Sequence, residues 1–429
     1  MVSVQIIVRP ITSPNSSSGQ TMFHWNNIRE EQFSRLIPSW KSCKVCQVGF
    51  SGKLVAMLDR IITFLREEAV LCIAFAFACA SLAVSGDVVQ APAYIDWRVI
   101  ALLFCLMASV AGMRVSGILA RVAQVLVSGD RTKRLVCFTL VAMPFFASML
   151  VTNDVALIAF VPVATLALES AGWQDDLVRV AVLQAVAANL GGMVTPVGNP
   201  QNLFIFTTYE LTTADFAAAL LPFGCLAFVL LALACLTFSR EHASVSLAVD
   251  ENAIDMRRFA LHAALFVLSV LAVMRVIAYP IVLLIVAAAL FVFDRRIFAE
   301  IDYALLATFA CFFVFSGNMA NMPAMQELLG GLMGDHPMLT SLISSQVISN
   351  VPATVLLSGF TQNWHSLLIG VDLGGLGTPI ASLASLIAFR LYMHTRGARA
   401  ASFAKEFAIV NTLMLAAMVV LYAALFVRW

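Results

Sequence analysis

Residues 187–202 read AANLGGMVTPVGNPQN. Three Gly, two Pro and three Asn fall within these sixteen positions. Gly leaves helical geometry freely, and Pro removes a backbone donor, so no continuous helix runs through them. Yet the flanking sequence is apolar and sits where a membrane-spanning helix is expected. Unpaired backbone groups are costly in hydrocarbon and survive only where protein or water satisfies them. The stretch therefore predicts a helix broken inside a packed interior or cavity at membrane depth.

The surrounding chain supports that setting. Of 429 residues, 61% are hydrophobic and 12% charged, and mean hydropathy is +0.91. Soluble domains are nearer half apolar and a quarter charged. The composition predicts an all-α polytopic membrane protein. The net charge of +1 and the lack of a basic, aromatic-interleaved cluster exclude nucleic acid as a partner. Cys at 72, 79, 105, 137, 225, 235 and 311 stand singly in apolar surroundings and read as small packing residues. Cys43 and Cys46 have metal-ligand spacing without a second pair or a nearby His. The six His are scattered, with no HxxxH or HExxH pattern. No enzyme, cofactor or metal site is expected, save a sodium ion.

The first 52 residues are polar and turn-rich, reading as disordered or as an upstream extension, with Met57 an alternative start. They lack the pattern of a secretory signal. Residues 53–68 carry apolar positions at helical spacing and predict an interfacial amphipathic helix.

Continuous apolar segments fall at 70–86, 97–113, 216–238, 259–275, 278–293, 303–319 and 406–428. Interrupted ones fall at 178–208 and 364–390. Lys and Arg collect after alternate segments: Arg114 to Arg134, Arg240 to Arg258, Arg295 and Arg296, and Arg390 to Lys405. The positive-inside rule then places the N-terminus in the cytoplasm and the C-terminus outside, in a cytoplasmic (inner) membrane. That count holds if 135–170 and 338–360 each enter and leave on one face. Both are therefore expected as re-entrant hairpins.

The chain also repeats itself. DWRVIALLFCLMASVAG (96–112) resembles DYALLATFACFFVFSG (302–317). TNDVALI (152–158) resembles SNVPATV (349–355), and NLGGMVTPV (189–197) matches DLGGLGTPI (372–380). Asp96 opens its segment on the outer face and Asp302 on the inner face, so the copies are inverted. The expected organisation is a first repeat over 69–238, a linker and extra span over 239–277, and a second repeat over 278–429. Inverted repeats with two broken helices mark secondary transporters whose site lies near the midplane.

The candidate site follows from the breaks and the hairpin tips. Gly191, Gly192 and Pro196, with Gly374, Gly375, Gly377 and Pro379, free backbone N–H groups for an anion and carbonyls for a cation. Thr152, Asn153, Ser349 and Asn350 supply neutral polar groups without the desolvation cost of a charge. Thr195, Asn199, Asn202 and Thr378 complete the candidate substrate contacts. Asp154 and Asp372 are ionisable groups at membrane depth, where such groups are usually functional. With Asn153, Gly192, Asn350 and Gly375 they form the candidate coupling-ion set. Asp372 could equally cap a half-helix. No Lys or Arg is expected among these motifs, which favours cation-coupled transport of a small anion. If the copies divide the work, the amide-rich first one suits the substrate and Asp372 the cation.

The motifs TNDVALIAFVPV, NLGGMVTPVGNPQNLFIF and ISNVPATVLLSGF resemble the ion transporter superfamily, over about 57–429. Its members transport citrate, dicarboxylates, arsenite or sodium against protons. The resemblance implies a homodimer with a scaffold domain and an elevator-type transport domain. It also implies that Asn153 and Asn350, each preceded by a hydroxyl, contact substrate carboxylate and sodium. The hydroxyl that follows each Asn in the dicarboxylate branch is replaced here by Asp154 and Val351. The first tip's Asn-Asp pair is similar to the arsenite branch. Symport of a carboxylate-type anion is expected, with antiport of sodium and protons, or arsenite export, as the alternative.

Overall fold

The computed structural model describes residues 68–86, 88–245 and 254–426. The expected N-terminal extension and the amphipathic segment 53–68 lie outside these residues, apart from Glu68. Helices make up most of the described chain, together with one short two-stranded ribbon.

Capping residues fix where the helices begin. Asp96 opens α1 (Trp97–Val115) by accepting from the backbone N–H groups of Arg98 and Val99. Thr212 opens α6 (Thr213–Cys235) and Asp255 opens α7 (Met256–Val273) in the same way. Asp302 opens α9 (Tyr303–Ala320) through the Leu305 N–H. Each side-chain oxygen satisfies a donor that the first helical turn leaves free. Ala69–Ser85 precedes α1, and α8 (Tyr279–Phe293) precedes α9. Ala69–Ser85 packs on α9, α8 packs on α1, and α1 and α9 also touch.

Two helical hairpins follow these bundles. In the first, α2 (Lys133–Ala147) and α3 (Asn153–Ser170) are joined by 148–152. In the second, α10 (Pro337–Ile348) meets α11 (Asn350–Ser358) at Ser349. Each hairpin is followed by a broken helix. The first is α4 (Leu177–Gly192) and α5 (Pro200–Thr208), and the second is α12 (Trp364–Leu373) and α13 (Leu383–Met393). The chain ends on α14 (Ala400–Phe426). The four pieces interlock: α13 packs on α3 and α4, and α5 packs on α11 and α12.

Among the described residues, six helices of 18 residues or more are apolar enough to cross a membrane: α1, α3, α6, α7, α9 and α14. Apolar side chains on the outer helices face outward, among them Leu284, Val292, Leu413 and Val420, each about two-thirds exposed. Such faces suit lipid, which satisfies apolar surface as water cannot.

Contacts between chain connections fall into two groups. In one, Arg114 pairs with Glu300 at 2.8 Å, Lys133 with Asp176 at 3.0 Å and Glu241 at 3.1 Å, and Arg258 with Asp294 at 2.7 Å. The ribbon belongs to the same group, with Gly129–Thr132 antiparallel to His242–Val245. The hydrogen bond to Lys133 holds the exposed Glu241 carboxyl below its ordinary range. In the other group, the Tyr209 hydroxyl donates to Ser358 O and Thr361 O. There too Arg275 donates to Glu210 O, and Asn321 donates to Tyr94. Lys133 begins the first hairpin and Asp176 lies just past it, so the two ends of that hairpin lie side by side.

Candidate functional site

The breaks and tips are held together by contacts that recur in both halves. At the first break, the Thr195 hydroxyl donates to Met149 O at 2.6 Å. At the second, the Thr378 hydroxyl donates to Gln346 O at 3.2 Å. The Asn153 N–H donates to Gly198 O at 3.2 Å, and the Asn350 N–H donates to Ala381 O at 2.9 Å. Asn153 and Asn350 each use their own Oδ1 to accept the next backbone N–H, from Asp154 and Val351, both at 2.9 Å. Both Asn are buried.

Glycine permits the close approach. A Cβ on Gly191 would strike the Phe145 carbonyl, and one on Gly374 would come within 2.5 Å of the Ser345 Cβ. The first half-helices therefore lie directly on the hairpins. Asn199 and Ser382 both have extended backbone, turning the chain into the second half-helix.

The tips communicate through the break residues. Asn153 Nδ2 donates to Asn189 Oδ1 at 3.1 Å, and the Ser382 hydroxyl donates to the same oxygen at 2.8 Å. Asn189 Nδ2 reaches Ser385 Oγ at 3.4 Å and Gly375 O at 3.5 Å. Asn350 Nδ2 lies against Gly375. On the opposite side, Gln201 Nε2 donates to Asp372 Oδ1 at 3.0 Å. Asn199 and Asn202 face the same carboxylate. Asn189 of the first half is thus embedded among serines of the second, and Asp372 of the second among amides of the first. The amides and the acid, read from the sequence as a division of labour, form one cluster.

Thr152 and Asp154 sit elsewhere. With Asn199 they line a cavity of about 190 Å³ that extends to Arg114, Glu300 and Asp302. Asp154 Oδ1 is buried with no hydrogen-bond partner. Of the other sequence candidates, Gly192 lies within 2.5 Å, by its absent Cβ, of the Asn199 side chain. Pro196 is buried beside it, whereas Thr378 and Pro379 are exposed. Both threonine hydroxyls are occupied in tethering a break to a hairpin. Ser349 is part-buried and donates to Ala381 O at 3.2 Å.

Four residues of the cluster escaped the sequence reading: Gln201, Gln346, Ser382 and Ser385. Gln346 Nε2 donates to Gly374 O at 2.7 Å and Leu376 O at 2.9 Å, holding the second break open. Ser382 and Ser385 stand in the positions of Asn199 and Asn202 when Asp372 is aligned with Asn189. That register was the available signal. The structure also holds a second polar group away from the cluster: buried Asp294 between part-buried Arg258 and buried His262, with His262 Nε2 at 3.3 Å.

A multi-pass helical membrane protein with a buried polar cluster between interrupted helices belongs to the class of membrane transporters. The chain is a member of the citrate transporter family, whose sequence model matches residues 61–365. An uncharacterized transporter of Methanocaldococcus jannaschii is 30% identical over 69% of this chain and 81% of its own length. The inner membrane protein YbiR of Escherichia coli is 32% identical over 70% of this chain and 81% of its own. An uncharacterized transporter of Mycobacterium tuberculosis is 25% identical over 73% and 84%. The chain is a transporter and not an enzyme.

Proposed function

We propose that this protein is a cation-coupled secondary transporter of a small carboxylate-type anion, such as citrate or a dicarboxylate, across the cytoplasmic membrane. The observation that carries the reading is the matched pair of hairpin tips, each bonded through its Asn N–H to a carbonyl of its own break. Equivalent contacts in two halves of one chain support an internal repeat, and the inverted charge pattern supports opposite orientations of its copies. Amides, hydroxyls and backbone dipoles around the tips suit a carboxylate, and carbonyls with Asp372 suit its coupling ion.

In this reading the two hairpins are re-entrant, and they form with the broken helices a transport domain that moves as an elevator. The remaining helices form the scaffold of a homodimer. The N-terminus is cytoplasmic and the C-terminus outside.

The test is uptake into proteoliposomes. Labelled citrate and dicarboxylates are offered with an inward sodium gradient, an inward proton gradient, or neither. Accumulation above equilibrium with one gradient, and none without, is the expected result. Equilibration indifferent to both gradients contradicts coupling.

A second reading, antiport, rests on the cavity. Among its described lining residues Arg114 is the one basic group against Asp154, Glu300 and Asp302. An acid-rich passage favours cations over bare anions. Antiport predicts that an outward proton gradient drives sodium in, with no anion required.

A further inference from the structure

The two halves present equivalent positions that differ in one respect. At Asn189 every polar atom is used: Oδ1 accepts from Asn153 and Ser382, and Nδ2 faces Ser385 and Gly375 O. At Asp372 the account does not close. Oδ1 accepts from Gln201, the Asn199 and Asn202 side chains lie against the same carboxyl, and yet Oδ2 and the Asn202 Oδ1 each have no hydrogen-bond partner. Asp372 is 5% exposed and Asn202 0%. Two orphaned acceptors on adjacent buried side chains, one of them a carboxylate, form a locus that lacks positive charge.

We propose that Asp372 and Asn202 form a single sodium-type cation site, built across the two halves, and that Asn189 is its neutral counterpart. The ligand chemistry is hard oxygen, which suits alkali and alkaline-earth ions rather than soft metals. One carboxylate balances one charge in a low-dielectric interior, which selects a monovalent ion over a divalent one. Gln201 is the positioning residue: its amide N–H fixes Oδ1 and leaves Oδ2 free for the ion. The asymmetry also sets a number. The first half already satisfies its polar atoms with Asn153 and two serines, so this pair of equivalent positions binds one cation and not two. The inference rests on the proposed cation coupling and gives that coupling an address.

The experiment measures thermal stability of the purified full-length protein in detergent, at fixed ionic strength. Sodium or lithium replaces choline, at several pH values and with no transported anion present. The wild type is expected to melt higher in sodium, with a saturating dose response. Asp372→Asn is expected to melt cooperatively with no sodium dependence. Asn202→Ala, which removes a neutral ligand and reports even if the first variant does not fold, is expected to raise the half-saturating sodium concentration about tenfold. Gly330→Ala, whose Cβ meets nothing within 4 Å, is expected to keep the wild-type response. A folded Asp372→Asn with an undiminished sodium shift overturns the site. So does Asn202→Ala with wild-type half-saturation, or a wild type stabilised by acid and indifferent to sodium and lithium. Because the shift is read without anion, a sodium response in a protein that moves no anion retains the site and removes the symport reading.

Discussion

Ser349 holds φ at +73° and ψ at 154°, a region that side chains avoid. Its counterpart Thr152 has φ at −60° and ordinary extended geometry. Such strain costs of order 1–3 kcal/mol and persists where the surroundings over-determine the backbone. Here the restraints are the Ser349 N–H to Ser345 O and its hydroxyl to Ala381 O. Ser349→Gly relieves the strain and removes the hydroxyl. It is expected to leave the melting temperature level or raised while lowering transport, measured on one preparation by thermal melt and uptake. A simple loss of stability would show that the hydroxyl outweighs the strain. Away from the site, Asp294 is 6% exposed between Arg258 and His262. Asp294→Ala leaves the part-buried Arg258 without its carboxylate and is expected to cost about 1–3 kcal/mol in reversible unfolding.

At the scale of elements, the contact that matters is hairpin on broken helix. Gly191 meets the Phe145 carbonyl so closely that a methyl group has no room. Gly191→Ala is expected to destabilise by about 1–3 kcal/mol through overpacking. Gly331→Ala, with nothing within 4 Å, is expected to leave stability unchanged or raise it slightly by favouring helix. Comparing the two melts checks whether the breaks are clamped to the hairpins. The breaks were legible in the sequence because Gly and Pro state their backbone consequences locally, and the tips because Asn and Asp are rare in apolar surroundings. Gln346 was not legible, and Ser382 and Ser385 were legible only through the register of the repeat, not locally. Gln346 works on backbone carbonyls 28 and 30 residues away, and the serines act on Asn189 from the other half. Serine within an apolar helix ordinarily bonds its own preceding turn, so nothing in the local pattern separates these from Ser345 or Ser269.

For the whole molecule, the basic connections pair with acidic ones, as Arg114 with Glu300, Lys133 with Asp176 and Arg258 with Asp294, while Tyr209 and Arg275 tie other connections through backbone carbonyls. The counting of Lys and Arg predicts which end faces the cytoplasm, since it depends on composition alone. The helices Ile118–Val127 and Pro323–Asp335, of 10 and 13 residues, lie in connections between the apolar segments. Sidedness yields a direct expectation. A phosphatase fused after residue 429 should be active outside the cytoplasm, and a fluorescent protein fused there should stay dark. The reverse pair of signals would invert the topology. In the proposed mechanism Asn153 and Asn350, one on each tip, serve a single transport site. Uptake by Asn153→Ala and Asn350→Ala in proteoliposomes, matched for protein and melting temperature, tests it most directly. Both variants are expected to lose uptake by at least about a hundredfold, as the loss of a positioned polar contact in a closed site implies. Full uptake by either variant would contradict the claim.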